Sequence, residues 1–522
     1  MKARTLTQSL AWLHTWSGLI FGWVLFSIFL TGTLAVFDKE IDNWMRPEIP
    51  THTLDQAQAA QVALNYLQAR HPDASAWNIG LPTERSPTLS VSAGEQRRGS
   101  GTVLDPTTGE PQAVRETAGG GFFFRFHFTL NLPRNIGIWA VGLAAMAMLV
   151  ALISGIVIHK KFFKEFFTFR PAKGQRSWLD AHNATAVLVL PFHLMITYTG
   201  LVIFYLIYMP AAMDALFDGD RERMTRALRE APATEQHGHP AGGREAGPRG
   251  GTKPAVQPAD LTALAPVLSE AERVLGPVAG LSIQHPGRSD ARIEVRPVLG
   301  NRIELTKGMS LQFDGVSGQV LRLPSDSRAT LLTQKVMAGL HFAQFGGYWM
   351  RWLYFLCGLA SCAMLATGVV LFTVKRRRRH DAEGRVAALL YHSAERLNVA
   401  VIAGLSLACV AYLWANRLLP VGLPGRGGWE VQVFLLVWLA SLGHAIVRPW
   451  LAAWREQLGL AAVLCMALPL LNLLGENRNE AFWLESVVVI IGMLLAWTRW
   501  KLGRPIKDKA TRKAPGAALE TH

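Results

Sequence analysis

The chain has 522 residues, half of them hydrophobic, with a formal charge of +15 and a mean hydropathy of +0.19. That hydropathy argues against a soluble protein of this size. The charge does not point to nucleic acid, because the lysines and arginines gather at alternate ends of apolar runs. Cys357, Cys362, Cys409 and Cys465 all lie inside such runs and form no CxxC pair, which leaves no disulfide framework or thiolate metal site to build on.

Apolar runs of about 18 residues or more cross a bilayer core. Eight are expected, at about 11–36, 136–159, 180–208, 349–374, 396–419, 430–447, 457–474 and 481–500. Lys2 and Arg4 precede the first run. No small-x-small cleavage site precedes Phe37 and Asp38, so this run reads as a retained anchor. Residues 37–135 form a water-soluble segment, and the second span follows. Residues 160–179 return basic, with Lys160, Lys161, Lys164, Arg170, Lys173 and Arg176. Within them, 161–170 reads as an interfacial helix. After the third span comes a second soluble segment, 209–348. Its stretch 218–258 is rich in Gly, Pro, Arg and Glu and is expected to be a disordered insert. The fourth span ends at Lys375 to Arg379, opening a basic loop to 395. Four spans of packing character fill 396–500, and a basic tail covers 501–522. The positive-inside rule puts the basic loops and both termini in the cytoplasm.

The first four spans read as one unit written twice. His14 precedes Gly32 by 18 residues in span one, and His182 precedes Gly200 by 18 in span three. His127 precedes Gly155 by 28 residues, and His341 precedes Gly368 by 27. Each soluble segment has a helical stretch, 54–69 or 261–275, then alternating strand-like runs. Each then carries an Asp-x-x-x-Gly turn, Asp105 to Gly109 or Asp314 to Gly318. Two small α+β modules of one fold are expected on the outer face.

Ionisable residues in a membrane span mark function by default. His14 and His182 fall at the cytoplasmic ends of their spans, and His127 and His341 at the external ends. Neutral imidazole is a good axial ligand for haem iron, and two haems stacked across a bilayer would form a wire for electrons. No c-type attachment motif is present, so such haems would be b-type. His193 lies 11 residues after His182, on the same face of a continuous helix and about 16 Å away in height. His159 ends span two level with His14 and His182.

Residues Trp12-Leu13-His14-Thr15-Trp16-Ser17-Gly18, Ser154-Gly155-Ile156-Val157-Ile158-His159-Lys160-Lys161-Phe162-Phe163, Ser177-Trp178-Leu179-Asp180-Ala181-His182-Asn183 and the turn Asp105-Pro106-Thr107-Thr108-Gly109 resemble PepSY-associated transmembrane proteins. The resemblance covers about 8–380. It implies a polytopic α-helical membrane protein of about eight transmembrane helices, with two small PepSY-like α+β periplasmic modules, in a bacterial inner membrane. Some members are di-haem ferric-siderophore reductases of iron uptake. The resemblance thus implies electrons passing outward through two b-type haems to a periplasmic ferric chelate. The chain has no dinucleotide fingerprint or flavin domain, so the donor would be a quinol or a cytoplasmic reductase.

Two ligand schemes stay open. In the first, His14 and His182 take the inner haem, with His159 as rival, and His127 and His341 take the outer one. In the second, the 27 residues from His341 to Gly368 are helical throughout and span about 40 Å. That exceeds a bilayer core of about 30 Å. His341 and His127 would then stand above the membrane against a ferric chelate, and His193 would take the outer haem. The competing functions are a non-catalytic membrane protein whose modules bind a protein partner, and an accessory subunit of chelate transport.

Overall fold

The computed structural model describes residues 5–49, 55–94, 101–159, 170, 174–208, 220, 257–300, 302–324, 329–377, 380, 382–473 and 482–503. The expected insert at 218–258, the interfacial helix at 161–170 and the tail lie almost wholly outside them.

Helix α1, Leu6–Ala35, is the first span; Thr5 caps it, and the Gln8 side chain returns the hydrogen bond to the Thr5 backbone. A short α2, Asp38–Trp44, follows. The first soluble segment holds α3, Gln56–Arg70, and strands β1, Ala76–Gly80, β2, Leu89–Ala93, and β3, Thr102–Leu104. Helix α4, Gly121–Thr129, leads into the span α5, Arg134–Ile158. Helices α6, Gln175–Leu188, and α7, Leu190–Ile203, are followed by the single turn α8, Tyr205–Tyr208. The second soluble segment holds α9, Leu264–Leu275, and β4, Val278–Gln284, β5, Arg292–Pro297, β6, Leu311–Asp314, and β7, Val320–Arg322. Helix α10, Ala329–Phe342, leads into the span α11, Gly347–Arg376. Helix α12, Arg385–Asn398, runs through a π-helical stretch, Val399–Gly404, into α13, Leu405–Leu418. The chain ends on α14, Arg426–Val447, α15, Trp450–Leu473, and α16, Phe482–Leu502.

Among the described residues seven helices are long and apolar enough to cross a membrane, and α6 with α7 makes an eighth if that bent pair is one span. The chain is a multi-pass membrane protein. Its third span differs from the expected single helix at 180–208. It bends by 66° at Val189. Pro191 supplies the cause: it has no N–H to donate, and its ring crowds the carbonyl four residues back. The bend removes the shared helix face on which His182 and His193 would have stood in line.

The two soluble segments do repeat one topology, but they are not separate bodies. Strands β1 and β4 pair antiparallel, with Asn78 opposite Ser282, and merge both into one seven-stranded sheet ordered β3-β2-β1-β4-β5-β6-β7. Helices α3 and α9 share a core with the sheet, burying Ala60, Leu64, Leu67, Val267, Leu268 and Leu275 among others. The two turns share one backbone hydrogen-bond pattern. Asp105 Oδ1 accepts from the N–H of Thr107 and Thr108, and Asp314 Oδ1 from those of Val316 and Ser317. Gly109 and Gly318 close them at φ of +77° and +72°, a region glycine enters without a Cβ penalty.

Arg85, between β1 and β2, ties the sheet to the spans. It bonds both carboxylate oxygens of Glu40 at 2.8 and 2.6 Å and also reaches Asp38. Burial lowers the guanidinium pKa most strongly of any single influence, but the Glu40 hydrogen bond and the charges of Glu40 and Asp38 together outweigh it and hold the value above the ordinary one.

Candidate functional site

Four of the six predicted histidines meet in two pairs. On the side away from the sheet, the rings of His14 and His182 stand 6.3 Å apart, centre to centre. On the sheet side, the rings of His127 and His341 stand 6.0 Å apart. The 18 residues of α1 from His14 to Gly32, which touches the second pair, place the two pairs roughly 27 Å apart along that helix.

One local device seats each ring. His14 Nδ1 lies 2.9 Å from the Ala151 carbonyl, and Gly155 faces the ring. His182 Nδ1 lies 2.9 Å from the Met364 carbonyl, and Gly368 faces it. His127 Nδ1 lies 2.8 Å from the Ile28 carbonyl, and Gly32 faces it. In each case the accepting carbonyl lies four residues before the glycine. That carbonyl already accepts the glycine N–H in the helix, and the missing Cβ opens room for a second donor. His341 follows with a variation. Gly200 faces it, its Nδ1 lies 3.1 Å from the Thr199 hydroxyl, and the Ile196 carbonyl is a further partner. Thr199 donates its own proton to Met195, so its oxygen is left to accept.

A carbonyl only accepts, so Nδ1 carries the proton in these rings. In the neutral imidazole, Nε2 then keeps its lone pair. Among the described residues no hydrogen bond engages Nε2 in any of the four. Each pair thus presents two oriented Lewis-basic nitrogens.

A turn removes the basis for the straight-helix count that lifted His341 above the membrane. The chain between His341 and Gly368 is not one helix: Ala343 and Gly346 turn at φ of +52° and +72°. Helix α10 therefore packs along α7, and Tyr354 of α11 donates to its Leu340 carbonyl at 2.6 Å.

The remaining two histidines sit elsewhere. His193 is fully buried, with Nε2 2.9 Å from the Ser361 hydroxyl and its ring against Phe29, between the two pairs. His159 caps the end of α5, its N–H donating to the Gly155 carbonyl.

A cavity of about 620 Å³ adjoins the sheet-side pair. Its walls are mostly apolar, and His127, His341, Arg134, Lys307 and Lys335 are among its lining. The role of the glycines as ring seats escaped the sequence reading, which used them only to mark the repeat. The matched His and Gly spacings held that signal, since a glycine inside a helix marks a close approach.

The family model described as the PepSY-associated TM region matches residues 11–375. The chain is also similar to a Pseudomonas aeruginosa protein named as uncharacterized protein PA4219. The two are 26% identical over 412 residues, covering 74% of this chain and 97% of that protein. The match to residues 11–375 spans both histidine pairs and the whole sheet, and this chain belongs to the PepSY-associated transmembrane family.

Proposed function

We propose that this member of the family is a di-haem reductase of a bacterial inner membrane, passing electrons outward to a periplasmic ferric chelate of the siderophore class. The observation that carries the reading is the spacing of the paired rings. A metal–imidazole bond is about 2 Å and a ring nitrogen lies just over 1 Å from the ring centre, so two imidazoles on one iron have centres roughly 6 Å apart. The two pairs stand at 6.3 and 6.0 Å.

His14 and His182 would hold the inner haem, and His127 and His341 the outer. The carbonyl bonds to Nδ1 fix each ring and raise its basicity, as the partners of ligating histidines do. Arg134, Lys307 and Lys335 are suited to carboxylates such as haem propionates. When bound, each haem supplies one-electron chemistry. The two pairs, roughly 27 Å apart along α1, would set the haems toward opposite faces of the membrane. The basic loops orient the His14 pair toward the cytoplasm, where a quinol or a cytoplasmic reductase would be the donor.

The test is the absorbance of the detergent-purified protein, followed by single alanine variants. A b-type spectrum with two haems per chain is expected. His14→Ala or His182→Ala should remove or alter one haem, and His127→Ala or His341→Ala the other. Wild-type protein without haem would end the redox reading.

One observation favours a second reading, chelate transport. The third span is broken at Val189, as the spans of many transporters are. Proteoliposomes separate the two: transport accumulates the chelate inside, whereas reduction yields ferrous iron on the side where the chelate was added.

A further inference from the structure

The last four spans lie outside the repeat and carry neither histidine pair, yet they grip the segment that delivers one of those histidines. Glu430, near the start of α14, is fully buried and accepts from the Thr117 hydroxyl at 2.6 Å and the Ala118 N–H at 2.9 Å. Its other oxygen takes Asn416 at 2.7 Å and Arg426 at 2.6 Å. Arg426, also fully buried, reaches the Glu116 carbonyl at 3.0 Å. Tyr412 donates to the Gly119 carbonyl at 2.8 Å. Residues 116–119 are thus held from α13 and α14, two residues before α4 begins.

Helix α4 continues the contact. Phe122 stacks on Tyr412 at 4.8 Å and meets Phe434 at 4.9 Å, and Phe126 meets Phe434 and Trp438 at 5.5 and 5.9 Å. His127 follows Phe126 directly and points instead to α1 and His341. The repeat-equivalent helix α10 is held differently. The chain at 303–305 lies along it, with the Leu305 N–H donating to the Lys335 carbonyl at 2.9 Å, and Tyr354 bonds its end.

A buried ion pair is a poor source of net stability, because desolvation offsets attraction. What a fully hydrogen-bonded pair does supply is a fixed geometry. We propose that Glu430, Arg426 and Tyr412 are positioning residues for His127, through which the added spans set the geometry of the outer haem. The proposal rests on the di-haem reading for its spectroscopic arm, though not for its structural one.

The experiment uses full-length protein with Glu430→Gln and Tyr412→Phe, which keep side-chain size. Gln457→Leu is the control; it removes a buried bond to the Ser441 carbonyl within the same four spans. Electron paramagnetic resonance and redox titration read the two haems separately, and hydrogen exchange reads residues 115–129. The expected result is an altered signal and potential for the outer haem alone, with at least tenfold faster exchange across α4 in both variants. Gln457→Leu should lower the melting temperature without either change. Unaltered outer-haem signals with unaltered exchange overturn the proposal, as does an equal effect from Gln457→Leu. If wild-type protein holds no haem, the di-haem reading fails and the exchange arm still decides whether these spans position α4.

Discussion

A glycine-to-alanine series measures how closely each histidine is seated. A methyl at Gly32 would lie 2.5 Å from His127 Nδ1, whereas ordinary contact starts at 3.4 Å, so the ring must retreat by about 0.9 Å. Metal–ligand distances hold to roughly 0.2 Å, and the 2.8 Å bond to the Ile28 carbonyl would be stretched out of range. At Gly200 and Gly368 the nearest ring atoms are at 2.9 and 3.0 Å, asking for about 0.5 and 0.4 Å; at Gly155 the distance is 3.2 Å, asking for about 0.2 Å. Gly18 has nothing within 4 Å. Alanine is also the better helix former, by about 1 kcal/mol, so loss of helix stability would not mimic the effect. The expected order of damage is Gly32, then Gly200 and Gly368, then Gly155, with Gly18→Ala indistinguishable from wild type. Haem per chain and the reduced α-band of each purified variant give the readout. Gly32→Ala should lose or spectrally change the outer haem while the inner persists. If Gly32→Ala retains two unaltered haems, or Gly18→Ala is as damaging, the seating argument is wrong.

Topology follows from the basic loops: in spheroplasts, Thr107→Cys and Ser289→Cys should react with an impermeant thiol reagent and Glu383→Cys should not, and the reverse pattern would invert the orientation. Asn78 faces Ser282 across the β1–β4 pair; opposed strand residues have Cα spacings that suit a disulfide, so the double cysteine variant should cross-link under mild oxidation, and failure to do so would argue against a single sheet. The Asp314 carboxyl is held below its ordinary value chiefly by the Ser317 N–H, against opposing burial. A carboxylate lowered in this way stabilises fully above its unfolded value of about 4 and loses that contribution as pH falls through the folded value. Asp314→Asn should therefore lower the melting temperature at pH 7, and the gap should narrow below about pH 4.

The spans, the repeat and the module fold could be read from residue order because each rests on local pattern. Apolar runs, Asp-x-x-x-Gly turns and matched His–Gly intervals need no knowledge of distant contacts. The course of the backbone between these landmarks could not be read in that way. Counting helical rise from Gly368 back to His341 assumed one straight helix, and the turn at Ala343–Gly346 invalidates the count. The same error placed His182 and His193 on one face. Pro191 gave warning there, since a proline inside a helix kinks or breaks it. The β1–β4 pairing sets Asn78 opposite Ser282, 204 positions later, and no local signal distinguishes strands that end a sheet from strands that join two.

The repeat also shows where symmetry ends. His14 and His182 are carried by α1 and α6, and each is seated on a neighbouring span. Both histidines of the sheet-side pair are carried by short helices, α4 and α10, between the sheet segments and the long spans. At α10 the constraint comes from the second soluble segment and from α11. At α4, which packs on α1 and α5, a further constraint comes from α13 and α14, elements that the duplicated unit does not contain. Two sites built on one plan therefore differ in what holds them, with the outer pair fixed from two unlike sides. A change in the sheet should reach His341 more readily than His127, because Leu305 and Lys335 link the second segment to α10 directly, while the aromatic wall of α13 and α14 anchors α4 independently of the sheet.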